Sequence, residues 1–161
     1  MNRRMKRLQV LFMILAGCTG AKVGAAISRE KWKTQVRQGS NKYWQAYLMM
    51  DRWVRLKQEG KSLSGYFKER GYNSIAVYGM SHAGITLLDE LANSEIEVKY
   101  GIDVNADKIY VDIPMRKATD DLEKVDAVVV TPIYYFDEIE KNISEKISCP
   151  IIPLDDVIFY S

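Results

Sequence analysis

The stretch Ser74-Ile-Ala-Val-Tyr-Gly-Met-Ser-His-Ala-Gly84 decides how this chain is read. A short apolar run at 75–78 enters a turn bounded by Gly79 and Gly84. The pattern over 85–92 is amphipathic, with Leu87, Leu88 and Leu91 on one helical face. A second apolar run at 96–102 then ends in Asp103. Strand, glycine turn, helix and strand closing on an acid predict the first βαβ unit of a parallel sheet, with the right-handed crossover such units take.

The turn is the phosphate-binding half of a Rossmann unit with one glycine replaced. In Gly-x-Gly-x-x-Gly the first glycine makes the tight turn, the second admits a pyrophosphate to the backbone, and the third lets helix and strand pack closely. Here the first is Gly79 and the third Gly84, while Ser81 holds the second position. Turn and packing are retained. Phosphate approach is narrowed, although the Ser81 hydroxyl can donate to an oxygen. Free N–H groups at a helix N-terminus favour an anion. Asp103 stands 19 residues past Gly84, where an acid bonds ribose hydroxyls; alternatively it caps a loop with Asn105 and Asp107. The candidate cofactor contacts are therefore Gly79, Met80, Ser81, His82, Gly84, Asp103 and Thr131. His82 either contacts a phosphate or is a solvated first-turn residue. Thr131, at the carboxyl end of a later strand, lines a pocket or caps the next helix.

Downstream, 125–131 is a nearly continuous β-branched run, as a strand buried on both faces requires. A short strand or extended link is expected at 109–113. Phe136, Ile139, Ile143 and Ile147 share a helical face, with Glu138 and Glu140 on its solvated side. A short strand at 150–152 and a last turn at 154–158, capped by Asp155 and Asp156, complete the pattern. Cys149 reads as a buried, inert thiol. The expected fold is α/β: a small three-layer Rossmann-like domain over 71–161, with a mainly parallel sheet.

Upstream, 28–70 reads as a helical connector. The stretch 41–59 carries Tyr43, Tyr47, Met50 and Val54 at helical spacing, with Met49, Trp53 and Leu56 beside them and Gln45, Asp51, Arg52, Arg55 and Gln58 on the polar face. It predicts a helix packed on the domain's own sheet, or an aromatic ligand or partner surface. Gly60 ends it, and Ser62 caps a short helix closed by Gly71. Gly39-Ser40 is the expected hinge.

Residues 1–7 are basic, and 8–27 form an apolar run long enough to span a bilayer as a helix. Lys22 lies near one end and can snorkel. Ala16, Gly20 and Gly24 repeat at the spacing that permits homo-oligomeric helix packing in lipid. The alternative is a lipoprotein signal, since Leu15-Ala16-Gly17-Cys18 matches a lipobox and would leave an exported chain lipidated on Cys18. Basic residues flank the run on both sides, so charge does not orient it. The fold places the soluble domain in the cytoplasm, behind a single-pass anchor.

Composition bounds the function. The 161 residues are 47% hydrophobic and 27% charged with net charge +2, which describes one modest globular domain with an appendage rather than a nucleic-acid binder. Two cysteines and one histidine give neither a disulfide framework nor a metal cluster. The sequence lacks a Tyr-x-x-x-Lys pair, a Gly-x-Ser-x-Gly elbow and a Walker lysine, so no catalytic residue is singled out and the pattern leans toward a non-enzyme.

Lys57-Gln-Glu-Gly-Lys-Ser-Leu63, Tyr66-Phe67, Ile75-Ala-Val-Tyr-Gly-Met80, Tyr100-Gly-Ile-Asp103, Asp126-Ala-Val-Val-Val-Thr131 and Cys149-Pro-Ile-Ile152 together resemble a set of small bacterial Rossmann-like proteins. These accompany cell-surface polysaccharide biosynthesis, and some carry the label nucleoside-diphosphate-sugar epimerase. The resemblance implies an NAD(P) or nucleotide-sugar ligand and polysaccharide-assembly partners. The epimerase pair is missing, so it implies a binding or accessory domain. The alternative is an enzyme subunit whose catalytic residues come from a partner.

Overall fold

The computed structural model describes residues 41–161, which fall within one compact unit. The expected span at 8–27, its small-residue stripe and Cys18 lie outside the described residues. Among the described residues no helix is long and apolar enough to cross a membrane.

The chain folds as α1 (Lys42–Gln58), α2 (Ser64–Glu69), β1 (Ser74–Tyr78), α3 (His82–Leu91), β2 (Glu97–Ile102), β3 (Met115–Arg116), β4 (Ala127–Val130), α4 (Phe136–Ile143), β5 (Ile151–Pro153) and α5 (Leu154–Phe159). Two 3₁₀ turns, Ala106–Lys108 and Ile133–Tyr135, follow β2 and β4. The five strands form one all-parallel sheet in the order β3-β2-β1-β4-β5. The chain runs outward from β1 through β2 to β3, then returns to β4 on the other side of β1. That reversal is a topological switch point, where sheets of this class open a crevice at the carboxyl ends of the strands.

Burial on both faces explains the composition of the central strands. Ile75, Val77, Ala127 and Val129 point to one face, where α1, α2, α3 and α5 supply Met49, Trp53, Phe67, Leu87 and Ile158. Ala76, Val128, Val130 and Tyr100 point to the other, which α4 covers with Ile139 and Ile143. The return from β3 to β4 carries no helix. Its loop lies on the α4 face, held there by Tyr100 Oη donating to the Glu123 carbonyl at 2.7 Å and by Lys146 Nζ donating to the Ala118 carbonyl at 2.8 Å.

Several elements differ from their sequence expectation. The third strand is Met115–Arg116, which the pattern did not mark, while 109–113 takes the second of its two expected forms, a link whose Ile109, Val111 and Ile113 pack against the core. The stretch from residue 42 onward lies on the sheet itself, but it buries a different stripe from the one its spacing emphasised. Gln45, Met49, Trp53 and Leu56 face the core, whereas Tyr43, Tyr47 and Val54 are 73%, 58% and 52% exposed. Gln45, placed on the polar face, is thus buried. Leu63, not Ser62, stands at the N-cap position of α2 and makes no side-chain bond there, while the Ser62 hydroxyl accepts from the Ser64 N–H. The last turn is a buried helix, with Asp155 and Asp156 in its first turn.

Candidate functional site

Parallel pairing aligns Tyr78 with both Ile102 and Val130. The residues that follow these three strand ends therefore meet at one edge: Gly79 and Met80 after β1, Asp103 after β2, and Thr131 and Pro132 after β4. Gly79 has φ of +91°, a conformation open to glycine, and its N–H donates to the Ile102 carbonyl at 2.8 Å. A Cβ at this position would lie 2.6 Å from Pro132 Cδ and 2.9 Å from Thr131 Oγ1. The turn is therefore tight on the β4 side as well as strained for any side chain.

Helix α3 starts beside this turn. A Cβ on Gly84 would stand 2.2 Å from the Gly79 carbonyl oxygen, so the third glycine lets the helix rest on the turn's own backbone. Met80 turns its side chain inward and is buried. Gly101 makes room for it, since a Cβ there would come within 2.8 Å of Met80 Cγ and 2.6 Å of Met115 Sδ. Gly101, two residues before Asp103, is a packing requirement that the sequence pattern did not single out.

Two of the sequence candidates hold the turn in shape. Asp103 accepts the Met80 N–H on Oδ2 at 3.0 Å and the Asn105 N–H on Oδ1 at 2.9 Å. It acts as the loop cap, and each oxygen keeps a second lone pair for a further donor. Thr131 is buried and donates its hydroxyl to the Gly79 carbonyl at 2.6 Å. Pro132, not Thr131, stands at the N-cap of the next turn, and the Thr131 hydroxyl clamps β4 to the Gly79 turn.

The outward-facing groups are Ser81 and His82. Both are exposed. Ser81 is the N-cap of α3 in extended conformation, and its hydroxyl makes no capping bond. The first-turn N–H groups have no partner within the helix and open toward the strand ends. Tyr78, which the sequence reading passed over, ends β1 half-buried. Burial raises its phenol pKa, and the carboxylates of Asp103 and Glu138 push the same way. Its hydroxyl thus stays protonated at neutral pH.

Elsewhere, burial pushes the half-buried Cys149 thiol up, in keeping with an unreactive cysteine. A groove of ≈ 460 Å³ lies at the other end of α3, between Leu88, Leu91, Ile96 and Val98, with Glu95 and Asp112 on its rim. Among the described residues no group of three His, Cys, Asp or Glu could hold a metal.

Comparison with known proteins finds no matching family model, no matching curated protein and no matching solved structure. The fold stands on its own sheet: five parallel strands with helices on both faces.

Proposed function

We propose that this chain is a membrane-anchored, Rossmann-like binding or accessory domain that holds a nucleotide or nucleotide-sugar over the carboxyl ends of β1 and β4. The observation that carries the reading is the start of α3 at the switch point. There Gly79 and Gly84 keep the backbone low, and Ser81, His82 and the first-turn N–H groups face outward. A diphosphate is the chemistry that fits: an anion for the helix end and hydroxyls within reach of Asp103. The ligand classes are NAD(P) and nucleotide-sugars. The resemblance to polysaccharide-associated proteins supports nucleotide-sugars and a role beside polysaccharide-assembly partners. The run at 8–27 supports a cell-membrane location, and the cytoplasm, where such cofactors are held, suits the folded domain.

Titration calorimetry of the full chain with NAD(H), NADP(H) and UDP-sugars tests the reading. Saturable binding of one class supports it. No heat at millimolar ligand removes the ligand and leaves a scaffold.

A further inference from the structure

Helix α1 carries two apolar stripes at the same period. One, through Met49, Trp53 and Leu56, is buried against the sheet. The other, on the opposite side, presents Tyr43, Tyr47 and Val54 to solvent, with Trp44 beside them. A surface helix of a soluble domain needs only the first. The Trp44 and Tyr47 rings stack with centroids 5.3 Å apart, so the aromatics form one platform and not scattered side chains.

The platform has a defined place. At its far end α1 meets the end of α3, where Lys57 pairs with Glu90 at 2.8 Å. Its near end therefore lies at the carboxyl edge of the sheet. There α1 packs beside the Ile133–Tyr135 turn, whose Tyr134 and Tyr135 are also exposed and meet edge to face. Two tyrosines and a tryptophan thus line the exposed side of α1 toward the end that begins at residue 41, and the turn bearing Tyr134 and Tyr135 packs beside that helix.

Resting on the reading of 8–27 as an anchor, we propose that this platform docks on the headgroup layer of an anionic bilayer. Three observations favour that occupant. Tryptophan and tyrosine, with an apolar body and a polar tip, are the residues that settle at a membrane–water interface. The platform follows the apolar run by only 13 residues, an extended reach of about 45 Å at most. Those 13 residues carry Arg29, Lys31, Lys33 and Arg37 against the single acid Glu30, a charge complementary to anionic lipid. On the platform Lys42 lies over the Tyr43 ring, and Arg55 neutralises Asp51.

The experiment uses the full chain in vesicles of equal parts phosphatidylcholine and phosphatidylglycerol, in a Trp32→Phe background. Trp44 and Trp53 then remain, and Trp53 is a built-in control because it is buried in the core. A nitroxide carried on the lipid headgroup should quench most of the Trp44 emission and spare Trp53. Adding Trp44→Phe should abolish the quenching. Resistance to carbonate extraction is read on the same sample. If the chain resists extraction yet Trp44 is quenched no more than Trp53, the docking falls and the anchor stands. If carbonate releases the chain, anchor and docking fall together. If Trp44 is unquenched and cross-linking through Tyr47→Cys gives dimers, a second copy covers the platform and the docking is overturned.

Discussion

The hydroxyl of Thr131 donates to the carbonyl oxygen of Gly79 at 2.6 Å, across 52 residues of chain, and ties β4 to the turn after β1. Both groups sit beside β1, where the order of strand addition reverses. With the Ile102 carbonyl accepting from the Gly79 N–H, the turn is held from the strand on either side of β1. Thr131→Val keeps the volume and removes the donor. It is expected to cost about 1–2 kcal/mol in urea unfolding, as loss of a buried hydroxyl bond does. Thr131→Ser restores the donor and should recover most of that loss.

Gly84 and Gly65 make a paired test of what a helical glycine is for. Gly→Ala in a helix ordinarily stabilises by up to ~1 kcal/mol. At Gly65 in α2 a Cβ meets nothing within 4 Å, so Gly65→Ala is expected to raise the melting temperature modestly. At Gly84 the Cβ would lie 2.2 Å from the Gly79 carbonyl oxygen, and backbone must move. Gly84→Ala should therefore destabilise by about 2 kcal/mol or more, against its propensity. Equal effects in the two variants would contradict the close helix–turn contact.

Asp126 sets a pH dependence at the other end of β1. Its carboxylate accepts from the Ser74 and Asn73 N–H groups, at 2.8 and 2.9 Å, and from the Ser74 hydroxyl at 3.0 Å. These bonds, led by the Ser74 N–H, hold its pKa below the ordinary aspartate value. A depressed folded-state pKa contributes stability that is fully present above the unfolded value and lost as pH falls through the folded one. Asp126→Asn should thus be less stable than the parent at pH 7. The gap should close on acidification below the ordinary aspartate range, read as converging urea midpoints. A gap that widens toward low pH would reverse the assignment.

How much of this was legible can be judged residue by residue. The turn and its two glycines could be read because each has a local cause: a positive φ at Gly79 and a helix laid on backbone at Gly84. The role of Asp103 was half legible. In-register parallel strands that pair Tyr78 with Ile102 must bring residue 103 to the turn, so its bond to Met80 follows from topology once the pairing is known. The buried face of α1 was not legible. Two stripes satisfy one period, and nothing local prefers Met49, Trp53 and Leu56 over Tyr43, Tyr47 and Val54. The edge strand Met115–Arg116 is too short to carry a pattern, whereas the alternating Ile109, Val111 and Ile113 imitate one while packing as a link. The Thr131 clamp depends on a contact between distant residues, which periodicity does not record.

The ligand reading calls for a variant that changes the anion site without disturbing the turn. Gly79→Val does not serve. With φ at +91° and Pro132 2.6 Å from the new Cβ, it would unsettle the fold, and lost binding would say little about ligand contacts. Ser81 is the better position: exposed, at the N-cap of α3, with a hydroxyl that makes no capping bond. Aspartate is as good a cap as serine and suits the helix dipole, so Ser81→Asp should leave stability within ~0.5 kcal/mol of the parent. Its charge would stand where a diphosphate would lie, and repulsion should weaken nucleotide binding by roughly tenfold or more at low salt. Calorimetry of the variant beside its melting temperature separates the two effects. Unchanged affinity in a stable Ser81→Asp protein would move the ligand away from the head of α3.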